Sequence, residues 1–172
     1  YNYTLLSAVM EEASGRRFLR FMTDEVFTPI GMKHTAADYA DSAMTDRATF
    51  YEINDGEYKE SFPVDNSNKW AGGGLISTPS DLVKMGNALL HNSILEKETV
   101  DTLFKAQQLA DGTMNPQYYA LGWRHQTFEL FEGKNSVQVV HHGGTALGAT
   151  ALLILIPEYQ LSIAMVMNRG TE

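Results

Sequence analysis

Residues 139–157 read VVHHGGTALGATALLILIP, with two adjacent histidines, two glycines and then an apolar run. Imidazole can act as acid, base, hydrogen-bond donor or metal ligand near neutral pH. Adjacent strand residues point to opposite faces, so His141 and His142 cannot readily hold one ion between them. The remaining histidines, His34, His91 and His125, form no H-x-E or H-E-x-x-H pattern, and the chain has no cysteine. No metal site and no cofactor are expected. Packed or solvated histidines are the plain alternative. The glycines add information, because glycine weakens a strand unless something approaches its backbone closely. Gly143 and Gly144 would leave main-chain N–H groups open to an oxyanion or to a strand-like ligand. A bulge at a sheet edge explains them equally well. A second cluster, Gly72-Gly73-Gly74, precedes a helix start and suggests either an anion cradle or a tight backbone crossing. No G-x-x-x-x-G-K-[ST] accompanies it.

The elements that must position these residues follow from periodicity. YNYTLLSAVMEEASG predicts a helix with Leu5, Leu6, Val9, Met10 and Ala13 on one apolar face and Gly15 as its stop. Phe18, Met22 and Val26, spaced by four and flanked by Phe21, predict a second helix ended by Pro29 and Gly31. Residues 46–62 predict a hairpin around Asn54-Asp55-Gly56. Thr78, Pro79 and Asp81 mark a capped helix start, with Leu82, Met85 and Leu89 facing inward. Residues 96–107 predict a short amphipathic helix. From Tyr118 the period changes to that of strands: YYALGWRHQ, SVQVVHH, GATALLILI and LSIAMVMN. The last two are joined by only Pro157–Gln160 and must pair antiparallel. Their nearly continuous apolar character predicts burial on both faces. The expected organisation is a mostly helical region with a hairpin insert over 1–117 and an antiparallel sheet over 118–172, an α+β fold.

Composition narrows the function classes. The chain has 172 residues, 44% of them hydrophobic, which suffices for a domain core or part of a larger one. A net charge of −8 argues against nucleic acid as a partner. The apolar run 151–157 is too short for a transmembrane segment. No signal peptide is visible, the N-terminus looks cut, and the compartment stays open, extracytoplasmic being the expectation for a bacterial source.

AGGGLISTPSDLVKMGNALL, YALGW and HHGGTALGATALLILIPEYQLSIAMVMN together resemble the serine beta-lactamase-related family of class C beta-lactamases, D-alanyl-D-alanine carboxypeptidases and esterases. VDNSNKWAGGG is most similar to the mitochondrial serine beta-lactamase-like branch and its bacterial relatives. The resemblance implies a beta-lactamase/transpeptidase-like fold and an acyl-enzyme mechanism with three elements. These are a serine in S-x-x-K, a tyrosine in Y-x-N, and a K-T-G or H-x-G strand. His141-His142-Gly143 matches the third. By that match His141 and the Gly144 N–H are catalytic, while His142, Gly143 and Thr145 contact a small-molecule or peptide substrate. No serine here has lysine three residues on, Ser80 to Lys84 being one too long, and no tyrosine is followed by x-Asn. The chain is therefore expected to be the C-terminal portion of a serine hydrolase, inactive alone. Its expected partner is the N-terminal half of the parent protein, with self-association through uncovered apolar strands. A non-catalytic scaffold or binding protein of the same fold is the alternative.

Overall fold

A computed structural model describes residues 1–41, 44–130, 133 and 135–170. It contains two compact units. The first comprises residues 1–81, 144–151 and 166–172, the second residues 82–143 and 152–165. The last two residues of the sheet region predicted over 118–172 lie outside the described residues.

In the first unit, helix α1 (Asn2–Ser14) ends at Gly15, whose φ of 64° is the left-handed conformation that closes a helix. Its predicted apolar face is not a buried one. Leu5, Leu6 and Val9 are exposed and no α1 residue is fully buried. Helix α2 (Phe18–Met22) runs into a π-helical turn, Thr23–Phe27. The wider turn rotates the chain after Met22. Phe27 is therefore the buried side chain and Val26 only half-buried, which corrects the four-residue spacing.

Short strand β1 (Ala36–Ala37) is followed by the predicted hairpin, β2 (Tyr51–Asn54) and β3 (Glu57–Glu60). Asp55 and Gly56 both take positive φ, 53° and 79°, as a two-residue turn of the I′ type requires. Glu52 on β2 accepts the backbone N–H of Gly148. A Cβ at Gly148 would lie 2.8 Å from Phe50 Cβ, and its φ is 69°, so both packing and backbone demand glycine there. Helix α3 (Trp70–Gly73) and strand β4 (Leu75–Ile76) come next, and β4 pairs antiparallel with β1.

Helix α4 (Pro79–Leu90) begins as the sequence predicts, with the Asp81 N–H donating to Thr78 Oγ1 at 3.2 Å. The fully buried Asp81 carboxylate also accepts the His34 N–H at 2.7 Å and the Thr35 hydroxyl at 3.1 Å. These charge-assisted bonds satisfy an acid that would otherwise be costly to bury.

The core of the second unit joins α4 and helix α5 (Lys97–Phe104) to a sheet. Leu89, Leu90, Val100, Phe104, Val140, Leu153 and Leu155 form one buried cluster, edged by Leu82, Ile94, Leu103, Trp123 and Ala164. Each such side chain contributes about 1.5–3 kcal/mol on burial. Helix α4 approaches closely because Gly86 has no side chain. A Cβ there would sit 2.6 Å from Leu155 Cδ2.

The four-stranded antiparallel sheet is ordered β5 (Arg124–Leu130), β6 (Asn135–Ala146), β7 (Ala149–Ile156), β8 (Leu161–Met167). Two predictions need correction. The residues 118–123 are not strand, and β5 instead continues to Leu130. Nor are β7 and β8 buried on both faces. Leu153 and Leu155 of β7 are buried, but Leu161, Ile163, Met165, Val166 and Met167 of β8 are exposed. No helix among the described residues is long and apolar enough to cross a membrane.

Candidate active site

Strand β6 carries every site residue read from the sequence. Its pairing with β5 runs from Leu130↔Asn135 to Arg124↔His141 and stops there. β6 continues for five more residues, His142 to Ala146, with no β5 residue opposite them. In an antiparallel ladder alternate residues direct N–H and C=O toward the same side. The glycine pair thus lies on a stretch of strand whose edge β5 leaves open.

The two histidines have different surroundings. His141 is half-buried and shares a face with Arg124, Gln126 and Phe128. Its Nε2 is 2.8 Å from Gln126 Oε1 and its ring stands edge-on to Phe128 at 6.1 Å. Burial holds its pKa below the ordinary value, and the charges of Arg124 and His142 act in the same direction. His142 is exposed, at the point where β5 gives way. Its Nε2 is 3.1 Å from the Tyr119 hydroxyl, and the two rings are edge-to-face at 5.8 Å. Another histidine of the unit, His125, donates from Nδ1 to the Phe104 carbonyl at 2.9 Å and is structural. Among the described residues no three His, Cys, Asp or Glu side chains converge as metal ligands would.

Tyr119 was not singled out from the sequence. The signal lay in YALGW, which the strand-like alternation of residues 118–126 disguised. Those residues form a tight reversal. Tyr118 has φ 51° and Gly122 φ 88°. The Ala120 N–H donates to the Trp123 carbonyl at 2.7 Å, and Tyr119 bridges antiparallel to Arg124. Asn115 fixes the entry, accepting the Tyr119 N–H at 2.8 Å and donating to the Tyr119 carbonyl at 2.9 Å. The Gln107 N–H donates to that same carbonyl at 2.9 Å. With its backbone held on both sides, Tyr119 presents its phenol to His142 at a small entropic cost.

The glycines differ in what demands them. At Gly74 a Cβ would meet the Trp70 ring at 2.9 Å and the Asn66 carbonyl oxygen at 3.0 Å, and Gly73 has φ 143°, so packing demands glycine at the one and backbone conformation at the other. Gly144 is different. It has no positive φ, it is exposed, and a Cβ there would meet nothing within 4 Å. Neither the backbone conformation nor the packing of the described residues requires glycine at this position.

Residues 1–172 match the Beta-lactamase family. The chain belongs to the beta-lactamase family. It is 31% identical, over 98% of its own length, to the mitochondrial serine beta-lactamase-like protein LACTB of Homo sapiens, and covers 34% of that protein. It is 28% identical over 86% of its length to a D-aminopeptidase of Brucella anthropi, of which it covers 26%. Among solved structures, a penicillin-binding protein from Bacillus halodurans aligns with a TM-score of 0.79 at 22% identity, over 99% of this chain and 51% of that one. A D-stereospecific amidohydrolase from Streptomyces aligns with a TM-score of 0.78 at 24% identity, over 99% and 50%. The chain thus has the beta-lactamase/transpeptidase-like fold and belongs to a family of serine hydrolases. It spans about a third of the length of the curated relatives it matches.

The family's H-x-G pattern fits this beta-lactamase-related sequence in two registers, His141-His142-Gly143 and His142-Gly143-Gly144. The two differ in their surroundings. In the first, the leading histidine is half-buried against Gln126 and Phe128. In the second, it is exposed beside Tyr119, and the closing glycine is the one no packing demands.

Proposed function

We propose that this chain is the C-terminal part of a serine hydrolase that cleaves amide, ester or peptide bonds through an acyl-enzyme. In this reading β6 from His142 to Ala146 forms one wall of the cleft, and the nucleophilic serine and its base lie outside these 172 residues. The observation that carries it is Gly144, a strand glycine facing open space where the pairing with β5 has ended. A substrate backbone laid along that edge takes the place of the missing strand, and a side chain at 144 would obstruct it.

The roles follow from the chemistry. Attack of a serine hydroxyl on the carbonyl forms the C–O bond, places negative charge on the carbonyl oxygen, and expels an amine or alcohol. Water then repeats the attack on the ester. A backbone N–H on the edge that β5 leaves open, with the nucleophile's own N–H, stabilises that oxyanion; the alternation of the strand gives that edge to Gly143 and Thr145 rather than to Gly144. Gly143 and Thr145 flank the bound segment. His142 takes the part of the H-x-G histidine, donating to the substrate or to the base. His141, tied to Gln126, supports the strand from its other side. The similarity to a D-aminopeptidase favours amide substrates.

The exposed apolar residues Leu5, Leu6 and Val9 of α1, and Leu161, Ile163 and Met165 of β8, are where the remainder of the polypeptide packs. Without it these rows favour self-association.

The test compares this chain with the full-length protein. Both are incubated with an amino-acid nitroanilide, a nitrophenyl ester and a fluorophosphonate. Turnover and serine labelling are expected from the full-length protein only. Turnover by the 172 residues alone, or none by the full-length protein, refutes the proposal.

A further inference from the structure

We infer that Tyr119 is a positioning residue for His142. Its phenol donates to Nε2, holds the imidazole as the Nδ1–H tautomer, and so turns a donor at Nδ1 toward the substrate edge of β6. The inference rests on the role proposed for His142 and adds a residue to that site.

Three observations carry it. The hydroxyl oxygen lies 3.1 Å from Nε2, within hydrogen-bond range, and the rings meet edge-to-face, at 76°, rather than stacked. The phenol comes from a reversal whose backbone is fixed by Asn115 and Gln107, so its position does not depend on substrate. Nδ1 of His142 has no partner among the described residues, and the ring is exposed, so that nitrogen is available. The direction of the bond follows from basicity. The imidazole nitrogen is a stronger acceptor than a phenol oxygen, and the phenol is the better acid. The O–H···N arrangement is therefore preferred over N–H···O. The hydrogen bond made by one ring nitrogen decides which nitrogen carries the proton. A neutral imidazole whose Nε2 accepts must carry its proton on Nδ1.

Free imidazole side chains in water favour the opposite tautomer, with the proton on Nε2. Without the phenol, His142 would present a lone pair where the site needs a donor. The consequence is directional: Tyr119→Phe keeps the ring and its packing, loses one oxygen, and reverses the tautomer.

The experiment uses the full-length protein with 15N-labelled histidine, on the alkaline side where the His142 signals no longer change with pH. Signals are assigned with His142→Gln. In the parent protein the His142 Nδ1 is expected to show the shift of a protonated nitrogen and Nε2 that of an acceptor. In Tyr119→Phe the two exchange, while the melting temperature is retained. With an amide substrate the variant is expected to lose between about ten- and a hundred-fold in kcat with little change in KM, as outer partners of functional histidines do. Protonated Nε2 in the parent protein, an unchanged tautomer in the variant, or a reversed tautomer with undiminished kcat each overturns the inference. If the parent protein hydrolyses nothing, the proposed function fails, and the nitrogen shifts still decide whether Tyr119 sets the tautomer.

Discussion

Replacing Gly144 with alanine should move stability and activity in opposite directions. The added Cβ meets nothing within 4 Å, and the residue has ordinary strand geometry, so no clash or strain accompanies it. Glycine in a strand interior is worse than alanine by about 0.5–1 kcal/mol, because it loses more conformational freedom on folding. Gly144→Ala should therefore stabilise the protein by about that amount. In a chain of this size that corresponds to a rise of roughly 1–4 °C in melting temperature. If a substrate backbone occupies the open space, the methyl group displaces it. A shift of about 1 Å at a reacting centre costs roughly a hundred-fold. The assay pairs urea melts with kcat/KM for a nitroanilide, on the full-length protein. A destabilised Gly144→Ala would mean that packing does demand glycine there. An alanine variant of normal stability and undiminished kcat/KM would mean that nothing approaches that edge.

Gly86→Ala tests the contact between α4 and the sheet. The helix gains about 1 kcal/mol from alanine, but the Cβ would collide with Ser162 Oγ and sit 2.6 Å from Leu155 Cδ2, and overpacking of that kind costs about 1–3 kcal/mol, so urea melts should show net destabilisation, part of it relieved by Ser162→Ala. His141 titrates below the ordinary value of 6.5, so the unfolded chain binds more protons than the folded one in that range, and the stability it contributes is lost as pH falls from about 6.5 through the folded pKa. His141→Gln should flatten the loss of melting temperature between about pH 8 and pH 5, and an unchanged slope would show that another group is responsible.

Much of the fold was legible because local chemistry specified it. Thr78, Pro79 and Asp81 start α4 by rules that act within one turn, and Asp55-Gly56 closes its hairpin in the conformation those residues favour. What could not be read depends on distant partners. A π-helical turn moves burial from Val26 to Phe27 without changing the apolar composition of the segment. The β8 residues have the composition of a doubly buried strand, yet composition records the need for cover and not what supplies it. At the site, the residues singled out from the sequence all fall on one strand, β6. The resemblance was read as His141-His142-Gly143; two consecutive histidines satisfy H-x-G equally as His142-Gly143-Gly144, and the two histidines differ in their surroundings.

The largest misreading, residues 118–123 as strand, bears directly on the site. Strand β5 pairs with β6 so that Arg124 faces His141. Had the chain stayed extended back to Tyr118 in that register, Tyr118 would stand opposite Leu147, and the whole edge from His142 to Ala146 would be covered by main chain. The fold would then have a longer, better-paired sheet and no room for a strand-like substrate. Instead, the positive φ at Gly122 reverses the chain, and Tyr119 pairs with Arg124 on the outer side of β5. One local event thus leaves β6 without a β5 partner beyond His141 and brings a phenol to His142. Alternating apolar and polar side chains made YALGW look like a strand. The residue that overrules the alternation is Gly122, since a left-handed position there costs a glycine little and would cost a residue with a Cβ about 1–2 kcal/mol.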